Sequence, residues 1–363
     1  MKFILPFCCM LLLMVAKAQV WAGFSSPWMP DSITRSSSAI AAYIQTRYNS
    51  KDQQLRAAYS WVTANIRYSD DSSYYFNWSV DEATKVAATL RRKKGVCENF
   101  AAVFSDIAKH LDLTSFVVHG YSSIASNSRN VAHSWSAVKL DSEWHLFDPT
   151  WDAGIISSFQ YYMLSPDVFV QTHIPFDPIW QLLEKPVGYK VGNDKNKTRF
   201  NYKDSISAFL TADSLQQYMG MARRMKNTDI NKELMSTWQS YNRMNITIIG
   251  QEQNMLFYNA AVDDLNKATD LFNAFVTYRN NRFLPSRNDA AVEAMLKPIS
   301  LLITDARKKL DNIGLIAENF QYDTESLKKR LDTIYRRTEE QKVFLRRYLT
   351  ATLSEKEKLL YSR

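Results

Sequence analysis

Apolar residues recur along this chain in two rhythms. Over much of its length they come at three- and four-residue steps, the period of an amphipathic helix. Between about residues 115 and 151 they alternate or form short runs bounded by turn residues, the mark of strands. Ile40, Tyr43 and Ile44 place a helix face within 36–48, and Leu55, Ala58, Tyr59, Val62 and Ile66 predict a helix from Lys51. Asp81 and Glu82 open a third helix running to about Arg92, with acids first and bases last, as the helix dipole prefers. Gly95 breaks the pattern. Phe100, Val103, Phe104, Ile107 and Leu111 then predict a helix from near Val96. Strands are expected at SFVVHGY (115–121), HSWSAVKL (133–140) and EWHLFDPTW (143–151), the last two joined at Asp141-Ser142, a short polar turn suited to a hairpin. The polar stretches 69–79 and 122–130 are expected to be loops. Helices followed by antiparallel strands make an α+β domain.

The rhythm changes again further on. Residues 154–190 are rich in proline and aromatics and predict an ordered cover over the sheet. The polar run GNDKNKT (192–198) is the expected boundary. Residues 204–363 contain only Gly220, Gly250 and Gly314, two prolines, no cysteine and no histidine. Ala261, Leu265, Ala268, Phe272 and Phe275 form a heptad-like stripe. Met295, Ile299, Leu302, Ala306, Leu310, Ile313, Ala317 and Phe320 form a second, and Leu327, Leu331 and Ile334 start a third after Asp323-Thr324-Glu325. Such stripes call for long antiparallel helices in a bundle. Pro298 is expected at a kink or in a first turn. This half fits helices packed only on one another, and it also fits a module meeting a protein or cell-envelope partner.

The N-terminus reads differently from the rest. Lys2, an apolar run from Phe3 to Val15, and Ala16-Lys17-Ala18 have the pattern of a cleavable secretory signal cut after Ala18, with the run too short to span a bilayer. The expected divisions are a signal peptide (1–18), a leader (19–35), an α+β domain (36–192) and a helical domain (200–363). A secreted or periplasmic location follows. The signal would remove Cys8 and Cys9 and leave Cys97 alone in an oxidising compartment. That is a reactive thiol, one half of an intermolecular bridge, or a buried inert residue. The net charge is +8, and without Lys2 and Lys17 it is +6. This bias is spread among acids and is not the clustered stripe that nucleic-acid binding requires, so no nucleic acid is expected.

Candidate chemistry centres on Cys97. A thiol at a helix N-terminus meets unpaired N–H groups and the positive end of the dipole, which favour thiolate. The same N–H groups point where an oxyanion would form. A nucleophilic cysteine needs an imidazole to move its proton and a polar group to hold that ring. Of five histidines, His110 lies at the far end of the cysteine helix, roughly 20 Å away at 1.5 Å per residue. His119 and His145 are mid-strand, and His173 lies in the covering segment. His133 starts a strand, with Trp135 placed to shield one ring face. A hairpin turning at 141–142 puts Asp148 near 134–136, within reach of His133. One cysteine and scattered histidines lack metal-ligand spacing, so neither a metal nor another cofactor is expected.

These residues resemble a family. Gly95-Val96-Cys97-Glu98-Asn99-Phe100-Ala101, Ala132-His133-Ser134-Trp135-Ser136-Ala137-Val138 and Trp144-His145-Leu146-Phe147-Asp148-Pro149-Thr150-Trp151 are similar to the three motifs of the transglutaminase-like superfamily. Trp61-Val62 and Asn65-Ile66-Arg67-Tyr68 resemble the helix preceding them. The stretch from His173 to Leu183 is similar to the segment following the core in the kyphoscoliosis-peptidase-like branch. The resemblance covers about residues 40–190. It implies a papain-like α+β core with Cys97 as nucleophile, His133 as base and acid, and Asp148 as orienter. The implied chemistry is attack on a carboxamide of a peptide or protein, giving a thioacyl enzyme that passes to water (peptidase or amidase) or to an amine (transglutaminase). A binding module that keeps the fold without catalysis is the other reading. The family's oxyanion hole is completed by an aromatic or amide side chain, for which Tyr68, Asn77 and Trp78 are candidates, with Trp135 a further substrate-side candidate. Glu98 departs from the pattern, and an acid beside the thiol opposes its ionisation.

Overall fold

The computed structural model describes residues 26–69, 81–124, 129–154, 159–189, 200–228, 232–314 and 322–361. The signal sequence, Asn77 and Trp78 lie outside the described residues. The chain forms two compact units, Met1–Asn242 and Arg243–Arg363.

The first unit is α+β. Helix α1 (Ser37–Gln45) is capped by Ser36, whose side chain accepts from the Ala39 amide. Helix α2 (Lys51–Asn65) is capped in the same way by Ser50 and α3 (Glu82–Arg92) by Asp81, each cap satisfying an orphan first-turn N–H. Strand β1 (Arg67–Tyr68) pairs in parallel with β2 (Lys94–Gly95), aligning Tyr68 with Gly95. Helix α4 (Cys97–His110) follows at once. The stripes foreseen on α2 and α4 are buried together, with Leu55, Ala58, Tyr59 and Val62 sharing a core with Phe100, Val103, Phe104 and Ile107.

Five antiparallel strands make the sheet, β3 (Thr114–Ile124), β4 (Arg129–Leu140), β5 (Glu143–Phe147), β6 (Tyr162–Leu164) and β7 (His173–Pro175), in the order β6-β5-β4-β3-β7. Helix α5 (Pro166–Phe169) lies between β6 and β7. The hairpin turns at Asp141 and Ser142, both with positive φ, as a two-residue turn between twisted strands requires. Strands β3 and β4 are longer than their apolar runs. Their register continues without a break from Thr114–Lys139 to Ile124–Arg129. Ser122, Ser123 and Asn130 are therefore strand residues, not the loop their polarity suggests. Main-chain pairing carries the ladder past the apolar stretch, and Ser123 Oγ donates to Asn130 Oδ1 across it at 2.8 Å.

Strand β7 closes the far edge through Gly120, which sits opposite Pro175. A Cβ at Gly120 would stand 2.2 Å from the Ile174 carbonyl oxygen and 2.7 Å from the Pro175 Cα. Both are backbone atoms that cannot step aside alone. Gly120→Ala is expected to cost about 2 kcal/mol, the usual scale of overpacking a filled site, read as a lower urea midpoint with unchanged slope.

The first unit runs past the boundary expected at 192–198, for an apolar reason. On α6 (Tyr202–Thr211), Ile206 and Phe209 pack with Trp180. Met225 of α7 (Ser214–Met225), together with Met235 and Trp238 at the start of α8 (Lys232–Asn280), packs with Tyr121 and Phe176. Arg224 also donates twice to the Asp177 carboxylate, at 2.7 and 2.6 Å.

The second unit is helical. Residues 243–280 of α8 bury the stripe Ala261, Leu265, Ala268, Phe272 and Phe275. Its other helices are α9 (Asp289–Ala294), α10 (Lys297–Asp311), α11 (Thr324–Thr350) and α12 (Leu353–Tyr361). Ile299, Ala306 and Leu310 join the same core from α10, and Leu327, Leu331 and Ile334 join it from α11. Pro298 occupies the first turn of α10, where its missing N–H has no helical partner to lose. Among the described residues no helix is long and apolar enough to cross a membrane.

Candidate active site

Cys97 is the first residue of α4, and its N-cap is Val96. Valine offers no side-chain acceptor, so it gives the first-turn amides no side-chain cap, although the Asn99 amide bonds the Val96 carbonyl at 2.9 Å. Asn99 reaches back instead, accepting from the Val96 amide at 2.9 Å, and donates to Thr89 Oγ1 at 3.1 Å. This fold-back explains Gly95. A Cβ there would lie 2.4 Å from the Asn99 Cβ. The glycine is needed for this close approach. Glu98 does not face the thiol as an unpaired acid. Burial pushes its carboxyl pKa up, and Lys85, 2.7 Å away, partly offsets this.

His133 lies within β4, not at its start, opposite Gly120. The hairpin pairs Ser136 with Phe147, so the next residue, Asp148, comes level with Trp135 and one step from His133. His133 Nε2 donates to Asp148 Oδ2 at 2.7 Å. Both groups are buried. Burial alone pushes the His133 ring pKa down. The charges of Asp148 and Cys97, and hydrogen bonds to both, outweigh it and lift the ring to about 10. Burial likewise pushes the Asp148 carboxyl up, but the two imidazoles beside it hold it well below the usual carboxylate range. Nε2 is engaged by Asp148, and Asp148 and Cys97 are the two groups that raise the ring. Cys97 itself is 5% exposed.

Asp148 accepts more than His133. Its Oδ1 takes the Thr150 amide at 2.9 Å and the Trp151 amide at 3.4 Å. Its Oδ2 also takes His173 Nε2 at 3.0 Å. Buried Tyr59 of α2 bonds the Asp148 carbonyl at 2.8 Å and Asp152 at 2.7 Å, fixing the end of β5. His173 is fully enclosed, ringed by Phe169, Trp151, Trp135 and Tyr161 at centroid distances of 4.2, 4.5, 5.2 and 5.5 Å. Burial dominates its titration and lowers its pKa. The neutral ring therefore donates from Nε2 and accepts at Nδ1 from the Thr172 hydroxyl, 2.8 Å away.

The resemblance marks the stretch that begins at this second histidine but not its contact with Asp148, which arrives through the pairing of β7 with β3. His133, Asp148 and His173 also form the ligand-bearing group with metal-compatible proximity among the described residues, their ligand atoms lying within 4.8 Å. Linear spacing could not show this. Hydrogen bonds already join these atoms, and a metal ion would have to displace the proton on each Nε2. Of the other candidates, Tyr68 is half exposed beside Gly95. Trp135 is fully buried with Phe169, Ile179 and Trp180, so it forms part of the wall and not an exposed substrate-side face. Its ring lies 6.2 Å from that of His133, and Trp151 is nearer at 5.7 Å. His119 meets Ser134 at 2.9 Å and the Trp238 ring.

Residues 38–149 match the Transglutaminase-like superfamily. Kyphoscoliosis peptidase from Homo sapiens is 26% identical over 188 residues, and that from Mus musculus 27%. Each match covers 47% of this chain and 28% of the relative, so the chain spans under a third of the length of these curated proteins. A crystal structure from Cytophaga hutchinsonii, provisionally named a cysteine protease, overlaps 35% of this chain and 40% of its own with a TM-score of 0.26 and 18% identity. The three motifs around Cys97, His133 and Asp148 fall within the matched residues, and this part of the chain is similar to the transglutaminase-like superfamily.

Proposed function

We propose that this chain is a cysteine-dependent amide-bond enzyme acting on peptide or protein carboxamides. One observation carries the reading: His133 lies between Cys97 and Asp148, bonded to the carboxylate at 2.7 Å and raised in basicity by both partners. A ring that holds its proton this firmly favours a neighbouring thiolate. The sulfur attacks the carbonyl carbon, and the oxyanion forms against the first-turn amides of α4. As the C–N bond breaks, His133 gives its proton to the departing amine, leaving a thioacyl enzyme. Water, deprotonated by His133, then attacks the thioester, releasing the acid and restoring the thiol. A primary amine in place of water gives a new amide by the same steps.

A fluorogenic peptide amide separates hydrolysis from transfer when it is run with and without a labelled primary amine. Cys97→Ala is expected to reduce both products to background. Iodoacetamide is expected to label Cys97 near neutral pH much faster than a free thiol. Labelling at the free-thiol rate, alike in wild type and His133→Ala, would overturn the proposal and favour a binding module.

A further inference from the structure

We infer that His173 is a positioning residue, holding Asp148 Oδ2 where it can orient His133. The inference rests on the proposed Cys97–His133–Asp148 reading and extends it beyond the matched residues 38–149.

Geometry carries it. Two backbone amides pin Asp148 Oδ1, leaving Oδ2 free to swing about that anchor. Two Nε2–H donors converge on Oδ2, His133 at 2.7 Å and His173 at 3.0 Å. His133 has to move and exchange its proton during a reaction, so it cannot also be the fixed stop. His173 can. Its ring is 1% exposed, walled by Phe169, Trp151 and Trp135, and Thr172 satisfies its second nitrogen. Neutral and immobile, it donates one N–H without adding a charge that would compete with His133. Gly120 makes this possible by letting β7 close against β3. Hydrogen bonds that orient metal ligands govern activity by about 10- to 100-fold, and the same scale is expected for one that orients this carboxylate. The charged and titratable groups facing His133 are Asp148 and Cys97, with His173 behind the carboxylate.

The test compares His173→Phe, which keeps the ring and loses the donor, with His173→Gln, which keeps an N–H. The readout is the rate of Cys97 alkylation by iodoacetamide across pH 6–11, alongside the melting temperature. His173→Phe is expected to slow alkylation at pH 7 by about tenfold. It is also expected to move the limb set by His133 down from about pH 10, because an Asp148 that swings away no longer holds the imidazolium. His173→Gln is expected to recover at least part of both. An unmoved or raised limb in His173→Phe, or Phe and Gln variants slowed alike, overturns the inference and leaves His173 a packing residue. His133→Ala is the control: if it leaves alkylation unchanged, the underlying three-residue reading fails; if it slows alkylation while His173→Phe does not, only the role of His173 fails.

Discussion

His133→Ala is expected to lower amide turnover by at least about 10³-fold and to slow Cys97 alkylation strongly at neutral pH. The base in a nucleophile–base pair acts as a unit with its partner, so its loss removes nearly the whole effect of the pair. The ring is placed where this matters. It is buried, its Nε2 is spent on Asp148, and Cys97 is the other group that raises it. Alanine leaves Asp148 still satisfied by His173 and by the Thr150 and Trp151 amides, so the fold should survive. Steady-state assay with the fluorogenic amide and alkylation kinetics check the two halves. A variant with wild-type alkylation would mean that the imidazole does not activate the sulfur.

Asp148→Asn is expected to have the other large effect, lowering turnover by about 10⁴-fold, the scale seen when an orienting aspartate becomes asparagine in a serine hydrolase. The side chain keeps its shape but loses two acceptor sites. If its oxygen stays on the Thr150 amide, its NH₂ faces two Nε2–H donors, and at least one ring must turn or change tautomer. The pH dependence of stability should change too. His133 is raised in the folded state, so its contribution is complete below the ordinary imidazole range, about pH 6.5, and is lost as pH rises through about 10. Asp148 is depressed, so its contribution is complete above the ordinary carboxyl range, about pH 4, and is lost as pH falls through the folded value. Both are present together between about pH 4 and 6.5. In Asp148→Asn the acid limb from this carboxyl disappears and the alkaline limb shrinks. Melting curves from pH 3 to 11 test this, and superimposable profiles for the two proteins would refute the coupling.

Much of the site was legible because it is local. Gly95, Cys97 and the helical stripe from Phe100 to Leu111 define the N-terminus of α4. A two-residue turn at 141–142 fixes the register of β4 and β5, and with it the separation of Asp148 from His133. The lengths of β3 and β4 were not legible, since polar Ser122, Ser123 and Asn130 pair through main chain that carries no side-chain signature. Nor was the true duty of Gly95, which yields to a side chain four residues later. The boundary expected near 192–198 was drawn from polarity alone. Apolar side chains from 206 to 238 return to the sheet and draw the first unit out to Asn242.

By itself the sequence determined the helical stripes, the hairpin and the chemical types present: a sulfur, an imidazole and a carboxylate on elements it could name. Periodicity and short turns encode these, and both act over a few residues. Only the tertiary structure decided that Asp148 is shared between two imidazoles, that Trp135 is walled in, and that Glu98 is paired with Lys85. Each depends on a contact between segments brought together by packing, where burial and the nearest partner together set the charge of a group.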